Sequence, residues 1–204
     1  AEEYQYGHHT DYSDICGLEG ETNNQQILNL RFRKLCMFHC LLMLSNGIPM
    51  LVGGDEFGRT QQGNNNAYCH DSPLTWLDWT LAKKNLKLLE FTKMMIALRK
   101  QLFPFLFSKK SNFQWFNASG APEDYEPHVR TLHYEVTNNE FPEQTIRVLI
   151  NCFDRPVKFE VPEEKNWLVL IDTDKEPSDY ISPVDGCAWL EGYTVQVIKN
   201  DTIS

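Results

Sequence analysis

The chain has 204 residues, with 28 Asp and Glu against 19 Lys and Arg, giving a formal charge of -9 at pH 7. That balance argues against nucleic acid or an anionic membrane as partner, because both repel an acidic surface. Hydrophobic residues make up 42% of the chain, enough for a real core, and no run approaches the ~18 apolar residues of a membrane span.

Residues 1–24 are polar and aperiodic and read as loop. The chain starts at Ala1 without an initiator Met or a signal peptide, so a processed protein or a fragment is expected. From Gln25 to Ser45, Ile27, Leu28, Leu30, Phe32, Leu35, Phe38, Leu41, Leu42 and Leu44 predict a helix, apolar on nearly every side in its second half and therefore buried. Asn46-Gly47 is expected to end it in a left-handed cap. A short apolar strand, Ile48 to Val52, should follow. A buried helix, a tight turn and a buried strand are the unit that an α/β barrel repeats.

That strand opens into a polar loop crowded with Gly, Asn and Gln. Loops at the carboxyl end of buried strands are where barrel enzymes hold their ligand-binding groups. Gln61, Gln62, Asn64, Asn65 and Asn66 offer paired donors and acceptors, and Tyr68, Trp76 and Trp79 offer flat faces. This composition suits a neutral sugar polymer.

Helical spacing resumes from Leu81 to Leu102, with Leu86, Leu89, Phe91, Met94, Met95, Leu98 and Leu102 on one face, and Pro104 should close the segment. Beyond it, Phe113–Phe116, Thr131–Val136, Thr145–Asn151, Pro156–Val161, Trp167–Asp172 and Tyr193–Lys199 are short runs rich in Val, Ile, Thr and aromatics. Such runs between turn residues predict an antiparallel β-sandwich. The expected fold is therefore α/β plus all-β: residues 1–105 as the end of a (β/α)8 barrel, and 106–204 as a C-terminal sandwich.

Other chemistry-bearing residues read more plainly. Six cysteines form no C-x-x-C pair and are expected to be free thiols in a reducing compartment. His8 and His9 with Asp11 or Asp14 fit no zinc spacing, and Cys36, His39 and Cys40 lie in apolar surroundings that favour packing. No metal and no cofactor are expected. Trp115, Trp167 and Trp189 could stack on sugar as an accessory site, but sandwich core is the default for all three. Asp55 and Glu56 are adjacent on an extended segment and point to opposite faces. A retaining glycosidase needs two carboxyls about 5 to 5.5 Å apart across one bond, so holding the loop through backbone and Arg59 hydrogen bonds is the expected role.

The segment GDEFGRTQQGNNNAYC, Gly54 to Cys69, closely resembles the isoamylase-type glycogen and starch debranching enzymes of the α-amylase superfamily, in which it follows the eighth barrel strand. CGLEG at Cys16 to Gly20, LMLSNGIPMLVGGDEFG, FTKMMIALRKQ, FQWFNASGAPEDYEPHVRTLHYEV and VLINCFDRPVKFEVPEEKNWLVLIDTD extend the likeness over nearly the whole chain. Asp14 and Ile15 stand where the family usually has Trp-Asn. The resemblance implies the C-terminal portion of an α-1,6-glucosidase acting on glycogen or starch. It also implies Asp55, Glu56, Arg59, Gln62, Asn64, Asn65, Asn66 and Tyr68 as substrate-binding residues, and no catalytic residue among the 204. The family's nucleophilic Asp, acid/base Glu and stabilising Asp would all precede Ala1, and His70-Asp71 falls at a noncatalytic pair. It implies an α-glucan partner, a need for the N-terminal remainder, and a cytoplasmic or plastid setting. A noncatalytic glucan-binding scaffold, or a subunit completing a split enzyme, are the alternatives.

Overall fold

The computed structural model describes residues 13–122, 128–176, 179–180 and 184–200; His8, His9 and Asp11 lie outside them. Helix α1, Gln25–Leu44, starts where Asn24 accepts the Gln26 amide at 2.9 Å, as an N-cap side chain does. It ends on Ser45 rather than on a left-handed Gly. Ser45 is extended and donates both its amide, at 3.0 Å, and its hydroxyl, at 2.7 Å, to the Leu41 carbonyl. No glycine cap is needed because the Arg99 guanidinium takes the carbonyls of Met43, Ser45 and Gly47.

The expected strand Ile48 to Val52 is absent. These residues have no ladder pairing among the described residues, and Ile48 and Met50 are 98% and 83% exposed. A parallel strand draws its hydrogen bonds from neighbours on both edges, and none of the described strands lies beside this segment.

The second predicted helix is broken in two, α2 at Leu81–Lys84 and α3 at Leu86–Leu106. Asn85 sits between them, its side-chain amide donating to the Phe57 carbonyl at 2.8 Å. Pro104 does not stop α3 but lies inside its last turn. An interior proline costs about 3 kcal/mol. Burial of Phe105 and Leu106 immediately after it returns about 1.5–3 kcal/mol for each side chain. The buried face of α3 is Leu88, Thr92, Met95, Arg99 and Leu102, spaced at i+3 and i+4, while Leu86 is exposed.

Among the described residues seven antiparallel strands follow: β1 Ser111–Phe116, β2 Thr131–Asn138, β3 Thr145–Asn151, β4 Val157–Glu160, β5 Trp167–Asp172, β6 Cys187–Leu190 and β7 Thr194–Asn200. They form a five-stranded sheet in the order β1-β2-β3-β7-β5 and a two-stranded ribbon β4-β6. The four-residue β6 was not anticipated, since Cys-Ala-Trp-Leu has little β-branched signal.

Alternation along the strands gives the sheet two working faces. Tyr134, Val136, Ile146, Val148, Ile150, Val195 and Val197 meet Met37, Cys40, Met43, Leu44, Met95 and Leu102 of the helices. Leu149 and Ile198 face the ribbon, joined by Trp167 with Phe159, Ala188 and Leu190. A register shift between Val169 and Ile171 lets β5 serve both faces: Trp167 packs toward the ribbon and Ile171 toward the helices. The main core thus runs across the expected boundary near residue 105. No described helix is long and apolar enough to cross a membrane.

Candidate functional site

The polar loop is a built structure. The Asp55 amide donates to the Val52 carbonyl at 3.0 Å, and the Gly54 carbonyl accepts both Phe57 and Arg59 amides, at 3.1 and 3.0 Å. A one-turn 3-10 segment, Asp55–Phe57, is bracketed by Gly54 and Gly58, both left-handed. At Gly54 (φ 99°) a Cβ would lie 2.8 Å from Arg59 Cδ and from Leu77 Cδ2, so only glycine fits. Phe57 is buried and anchors the turn, its ring 5.6 Å from that of Trp79.

Both carboxylates face inward to the loop. Glu56 Oε2 accepts the Gly54 amide at 2.7 Å, and Asp55 Oδ1 accepts Arg59 Nε at 2.8 Å. Arg59 continues to Gln61 Oε1 at 2.9 Å, and Gln61 Nε2 donates to the Asn64 carbonyl at 2.8 Å. Asn64 Oδ1 then accepts the Asn66 amide at 2.8 Å. The chain Asp55–Arg59–Gln61–Asn64–Asn66 is therefore a continuous brace. Gln62, left-handed at φ 53°, Asn65 and Tyr68 project to the surface, and Tyr68 is 83% exposed.

The sequence reading brings these residues together in one loop and assigns Asp55 and Glu56 a bracing role that their hydrogen bonds fulfil. His70-Asp71 is exposed, with Asp71 Oδ1 accepting Trp76 Nε1 at 2.8 Å. Trp76 and Trp79 are both exposed.

Two buried groups support the loop from behind. Arg99, stacked 4.3 Å from the Phe107 ring, holds the three carbonyls at the exit of α1 and so fixes where residues 48–52 depart. It was missed, although a cation on an apolar helix stripe is a visible signal in LKLLEFTKMMIALRKQL. His39 Nδ1 lies 2.8 Å from Thr92 Oγ1, whose own hydroxyl donates to the Leu88 carbonyl; burial pushes this imidazole's pKa down. Cys36 and Cys40 beside it are free, and burial pushes the Cys36 thiol up to about 12. Among the described residues no three His, Cys, Asp or Glu side chains are grouped to hold a metal ion.

An apolar groove of about 570 Å³ borders the segment 48–52 that leads into the loop, lined by Met43, Pro49, Leu51, Ile96, Phe103 and Arg99 among others. With Ile48, Met50 and Val52 it forms a continuous stretch of uncovered apolar chain.

No protein-family model matches the chain. The fold is shared with part of several solved structures, pullulanases among them. A pullulanase from Bacillus acidopullulyticus superposes over 87% of this chain and 21% of its own, with TM-score 0.69 at 19% identity. A product complex of the pneumococcal glycogen-degrading virulence factor SpuA covers 92% of this chain and 24% of its own, with TM-score 0.67 at 16% identity. Sequence relatives are more specific. A glycogen operon protein GlgX homolog of Haemophilus influenzae is 37% identical over 184 residues, 84% of this chain and 27% of the relative. A glycogen debranching enzyme of Cronobacter sakazakii is 39% identical over 131 residues, 60% of this chain and 19% of the relative. The GlgX homolog of Mycobacterium tuberculosis strain H37Rv reaches 52% over 85 residues, 42% of this chain and 12% of the relative. The chain belongs to the isoamylase-type glycogen debranching family, and it spans about a quarter or less of the length of these relatives.

Proposed function

We propose that this chain is the C-terminal part of an α-1,6-glucan debranching hydrolase. It supplies one wall of the glucan cleft, while the catalytic carboxylates belong to the remainder of the enzyme. The observation that carries the reading is the braced 54–68 loop. Asp55, Glu56, Arg59, Asn64 and Asn66 hold its shape, and a rigid shape is what presents Gln62, Asn65 and Tyr68 to a ligand without an ordering cost. The uncovered groove and the exposed side chains of Ile48, Met50 and Val52 support a second element: the segment 48–52 becomes the last strand of a (β/α)8 barrel when its neighbours are present. The sequence relatives include glycogen debranching enzymes, which supports the substrate class.

The test is kinetic, in the complete enzyme. Tyr68→Ala and Asn65→Ala are expected to lower kcat/KM toward branched glucan by about 1 to 3 kcal/mol each, the range for one lost stacking or hydrogen-bonding contact. Thermal stability should hold for Tyr68→Ala. Unchanged kinetics together with a melting point lowered by several degrees in both variants would make the loop a brace alone.

A further inference from the structure

The outer face of the β4–β6 ribbon presents an aromatic ring that the loop does not account for. In β6, Ala188 and Leu190 are buried against the sheet, and strand alternation turns Trp189 outward, where it is 66% exposed. Trp115, also expected in the core, is exposed beside Tyr134, ring centroids 4.9 Å apart; of the three, Trp167 is the one fully enclosed. Directly across the ribbon from Trp189 stands Lys158, whose ammonium donates to Glu160 Oε1 at 3.4 Å.

We propose that this face is an accessory α-glucan subsite. The Trp189 indole stacks on a pyranose ring, and the Lys158–Glu160 pair hydrogen-bonds its hydroxyls. That the sugar is a glucan rests on the functional reading above. The flanking chemistry favours a sugar over a protein: the exposed residues of β4 beside this indole, Lys158 and Glu160, are charged, whereas the centre of a protein interface is depleted in charge. Charge favours it too, since the paired Lys158 and Glu160 leave the patch neutral on a chain of charge -9. The five-stranded sheet separates the ribbon from the helices that carry the 54–68 loop. Two such contacts on one polymer raise its apparent affinity without a new contact at either.

Affinity electrophoresis of the 204-residue chain through glycogen-containing native gels, with fluorescence titration by maltoheptaose, tests this. Trp189→Ala is expected to weaken binding about tenfold, the loss of one aromatic stacking contact, with an unchanged melting temperature because the ring is exposed. The double variant Lys158→Ala, Glu160→Ala keeps the ring, should weaken binding several-fold, and stands in if Trp189→Ala melts early. Retardation that survives both ribbon variants but is lost in Tyr68→Ala overturns the accessory subsite and leaves the loop reading standing. A parent chain that glycogen does not retard at all overturns the accessory subsite, while the loop reading stands or falls on the kinetics of the complete enzyme.

Discussion

At the scale of single residues, the polar groups that matter most are the ones the apolar pattern conceals. Arg99 lies in a buried stripe and donates to three carbonyls at the end of α1. Replacing it with Met keeps the stem and strands three acceptors. Hydrogen bonds to charged groups contribute about 1.5–3 kcal/mol each, and part of that is recovered by relaxation. A loss on the order of 3 kcal/mol in urea unfolding is therefore expected, and Arg99→Lys should restore less than half, because an ammonium lacks the planar fork. Thr92→Val removes the partner of His39 Nδ1 and should cost about 1–3 kcal/mol by the same measurement. Thiol labelling offers a check on burial: Cys69, exposed, should react with a disulfide reagent well before Cys36 and Cys40. Their raised pKa values leave little thiolate at neutral pH.

Among the elements, the loop from Gly54 depends on backbone geometry more than on side-chain chemistry. Gly54→Ala forces a Cβ into the Arg59 and Leu77 side chains at φ 99°. Strain of about 1–3 kcal/mol is expected, read as a lower melting temperature and as proteolytic nicking between residues 54 and 68. The strands beyond residue 110 were legible because short runs of Val, Ile and Thr between turns carry strand propensity, even in β3, which is buried on both faces. The short β6 was not legible, and neither was the face of Trp189. One residue of register decides whether a tryptophan is core or surface, and the ladder pairing Lys158 with Trp189 is a long-range property. The strand at 48–52 failed for the opposite reason: its apolar pattern is real, but pairing needs neighbours.

For the whole molecule, the helices and the sheet share one core, so residues 106–204 are not expected to behave as an independent domain. Produced alone, that piece would expose the sheet face of Val136, Ile146, Val148, Val195 and Val197. It should bind a hydrophobic dye and unfold at lower urea than the full chain. Contacts at the periphery point the same way: Arg33 pairs with Asp174 at 2.7 Å and donates to the Gly192 carbonyl at 3.0 Å. Stability should also depend on pH through the other face of the sheet. His133 is fully buried, and burial and then Arg147 push its pKa down to about 3. Arg147 in turn donates to His133 Nε2 at 3.1 Å and to Glu135 at 2.7 Å. A neutral His133 stabilises fully above its unfolded value near 6.5. Because the unfolded chain binds the proton first, stability is lost progressively as pH falls from 6.5 toward 3. Urea titrations across that window should show a decline of a few kcal/mol, much reduced in His133→Gln.

The local pattern of this sequence was sufficient for the two long helices, most of the antiparallel strands, the braced Gly/Asn loop and the family, because each is written in neighbouring residues. What only the tertiary structure decided were the relations between distant segments: the helix end held by Arg99, the core shared across residue 105, the bulge that turns Trp167 inward and the register that leaves Trp189 facing water. Those outcomes depend on which faces meet, and a face is completed by a partner far along the chain.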